Sequence, residues 1–241
     1  FGYRTLFAVG RSADPQIEEN VRAESRIHGD IIQADFMDAY RNMTIKYLAW
    51  MRYVRDYCPD VKMIVKMDDD ILPNIFWIFM DLQQAGKIQT KRSFTCTNFA
   101  GPVYRDIHSP WYVPKEAHPG DSWEDYCSGP ALLQTADLCG PLVHQAEQHE
   151  FYVSVDDAWI TGTLTKEINA THDFHTYGSN FQWDDKQTEF QMLARSHIFG
   201  AYKTTTQMKR IFTQLAYLYG AATDPPDQLK GFYKGGPKNK E

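Results

Sequence analysis

Val61-Lys62-Met63-Ile64-Val65-Lys66-Met67-Asp68-Asp69-Asp70 decides how this chain is read. Its first seven residues form an apolar, β-branched run bounded by Pro59-Asp60 and, downstream, by Pro73, the pattern of a buried β-strand. Three carboxylates close the run at once. They fall at the carboxyl end of the strand, where open α/β sheets bind ligands. Adjacent anions repel one another unless a cation or solvent relieves them, and nothing in packing needs that cost. A hard divalent ion held through oxygen, with ligand phosphate oxygens on its far side, accounts for the motif. The bland alternative is a solvated acidic turn capping the helix after Pro73. An EF-hand is excluded because Pro73 takes the sixth position, where that loop needs Gly. An aspartate-nucleophile phosphatase would need Thr or Val where Leu72 stands.

Outward from this motif, the first half alternates strand and helix. A strand over 6–9 is followed by a helix that Asp14 can cap, with Pro15 at its first position, Ile17, Val21 and Ile27 along it, and Gly29 at its end. A strand over 30–34 precedes an amphipathic helix over 41–57, with Tyr47, Leu48, Met51 and Val54 on one face. The Asp-terminated strand comes next, then a helix over about 74–84 that is apolar almost all round and hence buried. This βαβαβα order predicts an α/β fold with a mostly parallel central sheet flanked by helices.

The middle of the chain is less regular. It holds a strand over 94–99, the loop Ser109-Pro110-Trp111-Tyr112-Val113-Pro114, and Tyr126-Cys127-Ser128-Gly129 leading into Ala131-Leu132-Leu133. A helix is expected over 135–148. The strand-like Phe151-Tyr152-Val153-Ser154-Val155 then meets a second acidic pair, Asp156-Asp157, which opens a helix through Ala158, Trp159, Ile160 and Leu164. Residues 169–185 read as loop and 205–219 as a last helix. Residues 1–222 read as one catalytic domain and 223–241 as a disordered tail.

At 241 residues, 43% of them hydrophobic, the chain can build a substantial core. A net charge of -6 argues against broad nucleic-acid or anionic-membrane binding. Cys58, Cys96, Cys127 and Cys139 lack the C-x-x-C spacing of a zinc site, and as two disulfides they allow three pairings. Two sequons, Asn42-Met43-Thr44 and Asn169-Ala170-Thr171, are compatible with a secretory lumen, although Asn42 can equally cap a helix. No stretch approaches the length of a membrane span, and no signal peptide is visible. The chain begins inside a strand without Met, so it reads as a fragment, and a missing anchor is not evidence against one.

By spacing alone, Asp157 is either a helix cap or a general base for an acceptor hydroxyl. His172 and His175 read as a surface loop, and His197 as a solitary imidazole.

Taken together, these motifs resemble the β-1,3-galactosyltransferase family of inverting glycosyltransferases, which includes β-1,3-N-acetylglucosaminyltransferases, Fringe and the core-1 synthase. Leu6-Phe7-Ala8-Val9-Gly10 matches its Phe-hydrophobic-Gly strand. Gly29-Asp30-Ile31-Ile32-Gln33-Ala34-Asp35-Phe36-Met37-Asp38-Ala39-Tyr40-Arg41-Asn42-Met43-Thr44-Ile45-Lys46 tracks its GDIIQxDFxDxYxNLTxK stretch. Val65-Lys66-Met67-Asp68-Asp69-Asp70, Tyr126-Cys127-Ser128-Gly129 and Asp156-Asp157-Ala158-Trp159-Ile160-Thr161-Gly162 follow in the family's order. The resemblance implies a GT-A fold with a Rossmann-like, mostly parallel sheet and an acceptor-side half. It also implies Mn²⁺, with Mg²⁺ as the alternative, a UDP-sugar donor, and a glycan or glycoprotein acceptor. Asp157 would be the catalytic base; Asp68, Asp70 and His197 would hold the metal. Lys46, Lys66, Asp68 and Asp69 fall on the nucleotide-sugar side, and Tyr126, Gly129, Asp156 and Trp111 on the acceptor side. The implied reaction is galactosyl transfer from UDP-galactose, with UDP-N-acetylglucosamine the runner-up donor, by a type II protein of the Golgi lumen. A non-catalytic relative serving as chaperone or glycan-binding partner would be expected to lose the acidic motif, which this chain keeps. Acceptor choice is expected from the loops around Trp111, Trp123 and Phe181-Gln182-Trp183. Departures from the family pattern are Asp156 for its Glu, Ala158 for its Val and Glu124 for its Pro. The family's earlier Arg-rich strand and helix would precede the point at which this sequence starts.

Overall fold

The computed structural model describes residues 3–174, 178–180 and 185–221. In chain order the elements are β1 (Phe7–Arg11), α1 (Pro15–His28), β2 (Ile31–Met37), α2 (Met43–Tyr57), β3 (Met63–Met67), β4 (Ile71–Pro73), α3 (Trp77–Leu82), β5 (Ser93–Cys96), β6 (Asn98–Phe99), β7 (Tyr126–Cys127), β8 (Ala131–Thr135), α4 (Cys139–Ala146), α5 (Asp157–Leu164), β9 (Thr171–Phe174), β10 (Gly178–Asn180), α6 (Asp185–Leu193), β11 (His197–Ala201) and α7 (Thr205–Leu218). They form two compact units, one of Phe1–Lys66 with Gln89–Phe174 and one of Met67–Ile88 with His175–Glu241.

The first unit is a mixed α/β assembly. β1 and β2 run parallel, joined by α1, as the strand-helix-strand pattern requires. The ends of α1 form as expected. Asp14 Oδ1 accepts from the Gln16 amide at 2.8 Å, Pro15 follows, and Gly29 closes the helix at φ 65°, its amide bonding Ser25 O. The apolar residues of α1 are not a core stripe, however: Ile27 is 76% exposed and no residue of the helix is buried. A four-stranded sheet in the order β3-β8-β5-β9 carries the centre of the unit, with β5 parallel to β9 and antiparallel to β8. On it pack α2, through Tyr47, Leu48, Met51 and Val54, and α4, through Leu142 and Val143.

The expected strand over 94–99 breaks at Thr97. Its carbonyl accepts the Ser128 amide at 2.9 Å, and Cys96 is disulfide-bonded to Cys127, so β6 turns away to pair with β7. Cys58 and Cys139 are free thiols, so one bridge forms where two were allowed. Residues 151–155 form no strand, because Phe151 and Tyr152 are exposed and the Val153 carbonyl accepts the buried Thr44 hydroxyl instead of a ladder partner. The segment after 169 is more ordered than a loop. His172 lies in β9, half-buried between Phe94 and Phe174, with its Nε2 bonded to Thr161 O.

In the second unit β11 pairs antiparallel with β4 and parallel with β10. Leu72, Phe76, Met192, Tyr202, Ile211 and Leu215 form its core. Asn74, wholly buried, joins three elements there. Its side chain accepts from the Trp77 amide at 3.1 Å and donates to Met192 O at 3.3 Å, while its backbone amide bonds Ile198 O. α3 is buried through Ile78 and Leu82 but leaves Met80 at the surface, so it is not buried on every side. α7 starts with a capping box between Thr204 and Gln207. His175, the Phe181-Gln182-Trp183 loop and the 223–241 tail lie outside the described residues.

Candidate functional site

Asp157 begins α5, a helix whose wide i-to-i+5 turns bury Ala158, Trp159, Ile160 and Leu164 completely or nearly so. Widened turns of this kind often mark functional positions. The Asp157 carboxylate is fixed from several sides. Oδ1 accepts the Ala158 amide at 2.8 Å, the Gly129 amide also bonds the carboxylate, and the positive charge of Lys66 stands nearby. Lys66 Nζ in turn donates to Gly129 O at 2.5 Å, so one cation ties the Gly129 loop to β3. A Cβ at position 129 would lie 2.9 Å from Asp157 Oδ2, and only glycine lets the loop come this close. Below, Thr161 Oγ1 donates to Asp157 O at 2.6 Å and accepts the Cys127 amide at 2.9 Å, coupling the start of α5 to the disulfide strand.

Burial raises the Asp157 carboxyl above the ordinary aspartate range, while the Ala158 amide and Lys66 pull it back. Burial also raises the Tyr126 hydroxyl, and the charge of Asp157 raises it further. Tyr47 behaves likewise under burial and then Asp156, and its hydroxyl lies 3.1 Å from Gln134 Oε1. The site is thus one ionisable carboxylate held in place by amides and a lysine, beside two phenols that stay protonated. A carboxylate so oriented and desolvated is suited to accept a proton. The cap reading survives in a weaker form: Asp157 bonds its own first-turn amide, while Asp156 makes no side-chain cap bond.

The resemblance implies the nucleotide-sugar side for Lys66. Within its unit the structure places it against Gly129 and Asp157. A Lys inside the strand, just before the acidic turn, was the available signal, since a half-buried ammonium needs a partner. Lys46 forms an ion pair with Asp38 at 2.7 Å, and Asp38 Oδ2 accepts the Gly10 amide at 2.8 Å. That pair fixes the β1–β2 connection. Gly129, expected on the acceptor side, lies against the Asp157 carboxylate. Trp111 is 46% exposed and donates to Tyr40 OH at 2.9 Å. Tyr126 is buried against Phe99.

In the second unit, Asp68-Asp69-Asp70 forms the turn before β4, closed by the Ile71 amide on Asp68 O. Asp68 and Asp70 are half-buried and Asp69 is exposed. Burial raises the Asp70 carboxyl, and the charges of Asp68 and Asp69 add to the rise. Such crowding fits a divalent ion bound by one or two carboxylates and completed by ligand phosphates. His197 stands apart from this turn along β11. Ala201 pairs with Ile71, and the Tyr202 amide bonds Asp70 O at 2.9 Å, so the Asp70 end of β11 is its Tyr202 end. His197 lies five residues back, roughly 16 Å along an extended strand. Its imidazole is lowered by burial and its Nδ1 is 3.1 Å from Ser196 Oγ. Among the described residues no three His, Cys, Asp or Glu side chains stand together as a metal-holding group. Within this unit His197 thus stands toward the end of β11 away from Asp70.

The mixed α/β architecture is consistent with a GT-A-like glycosyltransferase domain. The family model described as galactosyltransferase matches residues 1–175, and the chain belongs to that family. It is 33% identical over 176 residues to beta-1,3-galactosyltransferase 1 of Homo sapiens, covering 73% of this chain and 53% of that protein. It is 30% identical over 170 residues to beta-1,3-galactosyltransferase 5 of Gorilla gorilla gorilla, covering 69% and 55% respectively. Over 182 residues it is 29% identical to a lactosylceramide 1,3-N-acetyl-beta-D-glucosaminyltransferase of Xenopus tropicalis, covering 72% and 47%. The chain spans about half the length of the curated relatives it matches.

Proposed function

We propose that this chain carries the catalytic site of an inverting β-1,3-glycosyltransferase that moves galactose from UDP-galactose to a hydroxyl of a glycan or glycoprotein acceptor. The observation that carries the reading is the Asp157 carboxylate, half-buried yet held by the Gly129 and Ala158 amides beside Lys66. In this mechanism Asp157 takes the proton of the acceptor hydroxyl as its oxygen attacks the anomeric carbon. The bond to UDP breaks on the opposite face in the same displacement. Lys66 and the two amides keep the carboxylate ionised and aimed, and burial strengthens its pull on the proton. A Mn²⁺ or Mg²⁺ ion held by Asp68 and Asp70 with donor phosphate oxygens would supply charge stabilisation for the departing pyrophosphate. A UDP-N-acetylglucosamine donor is the second reading, supported by the name of the Xenopus relative. The Cys96–Cys127 disulfide supports an oxidising compartment such as the Golgi lumen. Among the described residues no helix is long and apolar enough to cross a membrane.

The test is a transfer assay across UDP-sugars with the wild type and Asp157→Asn. The variant keeps the shape of the side chain, so UDP affinity should hold while turnover falls by roughly 10²–10⁴, the scale of a lost general base. Wild-type turnover in Asp157→Asn would remove Asp157 from the reaction.

A further inference from the structure

The first unit contains an open cleft of about 440 Å³ that the chemistry above does not use, lined by Arg41, Tyr112, Val113, Pro114, Glu116, Ala117 and the 151–154 segment. Its volume falls within the ~300–1,000 Å³ range of small-ligand sites. Both walls are fixed in advance. Arg105 holds one by donating to Val113 O at 2.6 Å and His118 O at 2.7 Å, and Thr44 holds the other through Val153 O. Between these anchors the aromatic side chains stay at the surface: Phe151 is 52% exposed and Tyr152 41%. Large apolar rings held open on rigid walls mark a surface for a partner.

We propose that this cleft binds an uncharged oligosaccharide, the part of the acceptor that lies beyond the sugar being modified. This rests on the glycosyltransferase reading and deepens it. The lining carries one cation, Arg41, and one anion, Glu116, so it offers hydrogen bonds of both senses without a net field. Flat rings beside such polar groups suit a pyranose, which has an apolar C–H face and a rim of hydroxyls. Ser154 stands three residues before Asp157, so the cleft and the carboxylate are joined by at most ~10 Å of chain. An acceptor seated here can present its terminal sugar toward Asp157, and its length would set specificity.

The experiment uses saturation-transfer NMR with lactose and N-acetyllactosamine, and with a sulfated disaccharide as the charged control. Transfer kinetics are measured in parallel on monosaccharide glycosides and on these longer acceptors. The wild type should bind the neutral disaccharides and not the sulfated one. Phe151→Ala and, separately, Arg41→Ala should lose that signal and raise KM for long acceptors about tenfold, the scale of one truncated anchor in a binding site. The kcat, and KM for the monosaccharide glycosides, should stay unchanged. Unchanged NMR signal and KM in both variants, or preference for the sulfated ligand, would overturn the cleft while leaving the transferase reading intact. Binding lost in the variants of a wild type that transfers no sugar would keep the cleft and overturn the transferase reading. A wild type that binds neither disaccharide would overturn the cleft outright.

Discussion

Gly129→Ala separates the stability of the fold from the placement of its carboxylate. The added Cβ would sit 2.9 Å from Asp157 Oδ2 and 3.4 Å from its Cγ. Ordinary contact begins near 3.4 Å, so the two groups must part by about 0.5 Å. Neither has a free direction. Rotating Asp157 strains the 2.8 Å bond from the Ala158 amide, and moving the loop strains the 2.5 Å bond from Lys66 to Gly129 O. Overpacking of this kind costs ~1–3 kcal/mol, or roughly 2–12 °C in Tm at ~2–4 °C per kcal/mol for a chain of this size. The rate should suffer more, because misplacing a catalytic group by ~1 Å can cost ~10²-fold. We expect kcat, corrected for the folded fraction by calorimetry, to fall between roughly tenfold and a hundredfold with donor KM little changed. A variant whose Tm drops while its corrected kcat stays within about twofold of wild type would refute the geometry. The carboxylate would then have moved without consequence, and Asp157 could not be the base.

Further outcomes follow from the same contacts. Asp157 must be ionised to act, and burial raises its pKa, so turnover should fall on acidification with an inflection above the ordinary aspartate value of 3.8. Lys66→Met removes a charge that lowers that pKa, so the acidic limb of a kcat/KM profile should move to higher pH; a shift to lower pH would contradict the placement of Lys66. The Cys96–Cys127 bridge closes a loop with sequence separation 31, so Cys96→Ala with Cys127→Ala should cost ~3–4 kcal/mol in denaturant unfolding under oxidising conditions. Asp70→Ala should weaken Mn²⁺-dependent UDP binding in calorimetry, whereas His197→Ala should leave it within about twofold. A large loss in His197→Ala would restore that residue to the metal.

What the sequence made legible was local. Asp14, Pro15 and Gly29 fix both ends of α1 through contacts within four residues, and their types alone predict them. The acidic turn before β4 and the start of α5 were likewise readable, because carboxylates after an apolar run are unusual wherever they fall. The rest depended on contacts distant in the chain. Gly129 meets Asp157 across 28 residues, and its neighbour Ser128 gives no hint of that approach. The single disulfide depends on β5 breaking at Thr97, which the alternation of 94–99 conceals. The place of His197 is a matter of register. The sequence shows a histidine after the acidic motifs, but only the pairing of Ala201 with Ile71 shows which end of β11 reaches Asp70.

The two acidic motifs are treated in opposite ways by their own units, and that difference supports separate roles. Around Asp157 the chain supplies both the burial that raises the pKa and the amides and lysine that oppose it, so the carboxylate is complete within the protein. Around Asp70 burial is joined by the charges of Asp68 and Asp69, and its own amide is the one lowering influence. The first environment would suit a proton acceptor; the second would gain from a cation supplied from outside. With His197 at the wrong end of its strand, such a cation would draw its remaining ligands from water and from donor phosphates. Metal and nucleotide would then bind as one event, each weak without the other. That coupling would suit the transfer proposed above, in which the metal would have work to do only while a leaving pyrophosphate is present.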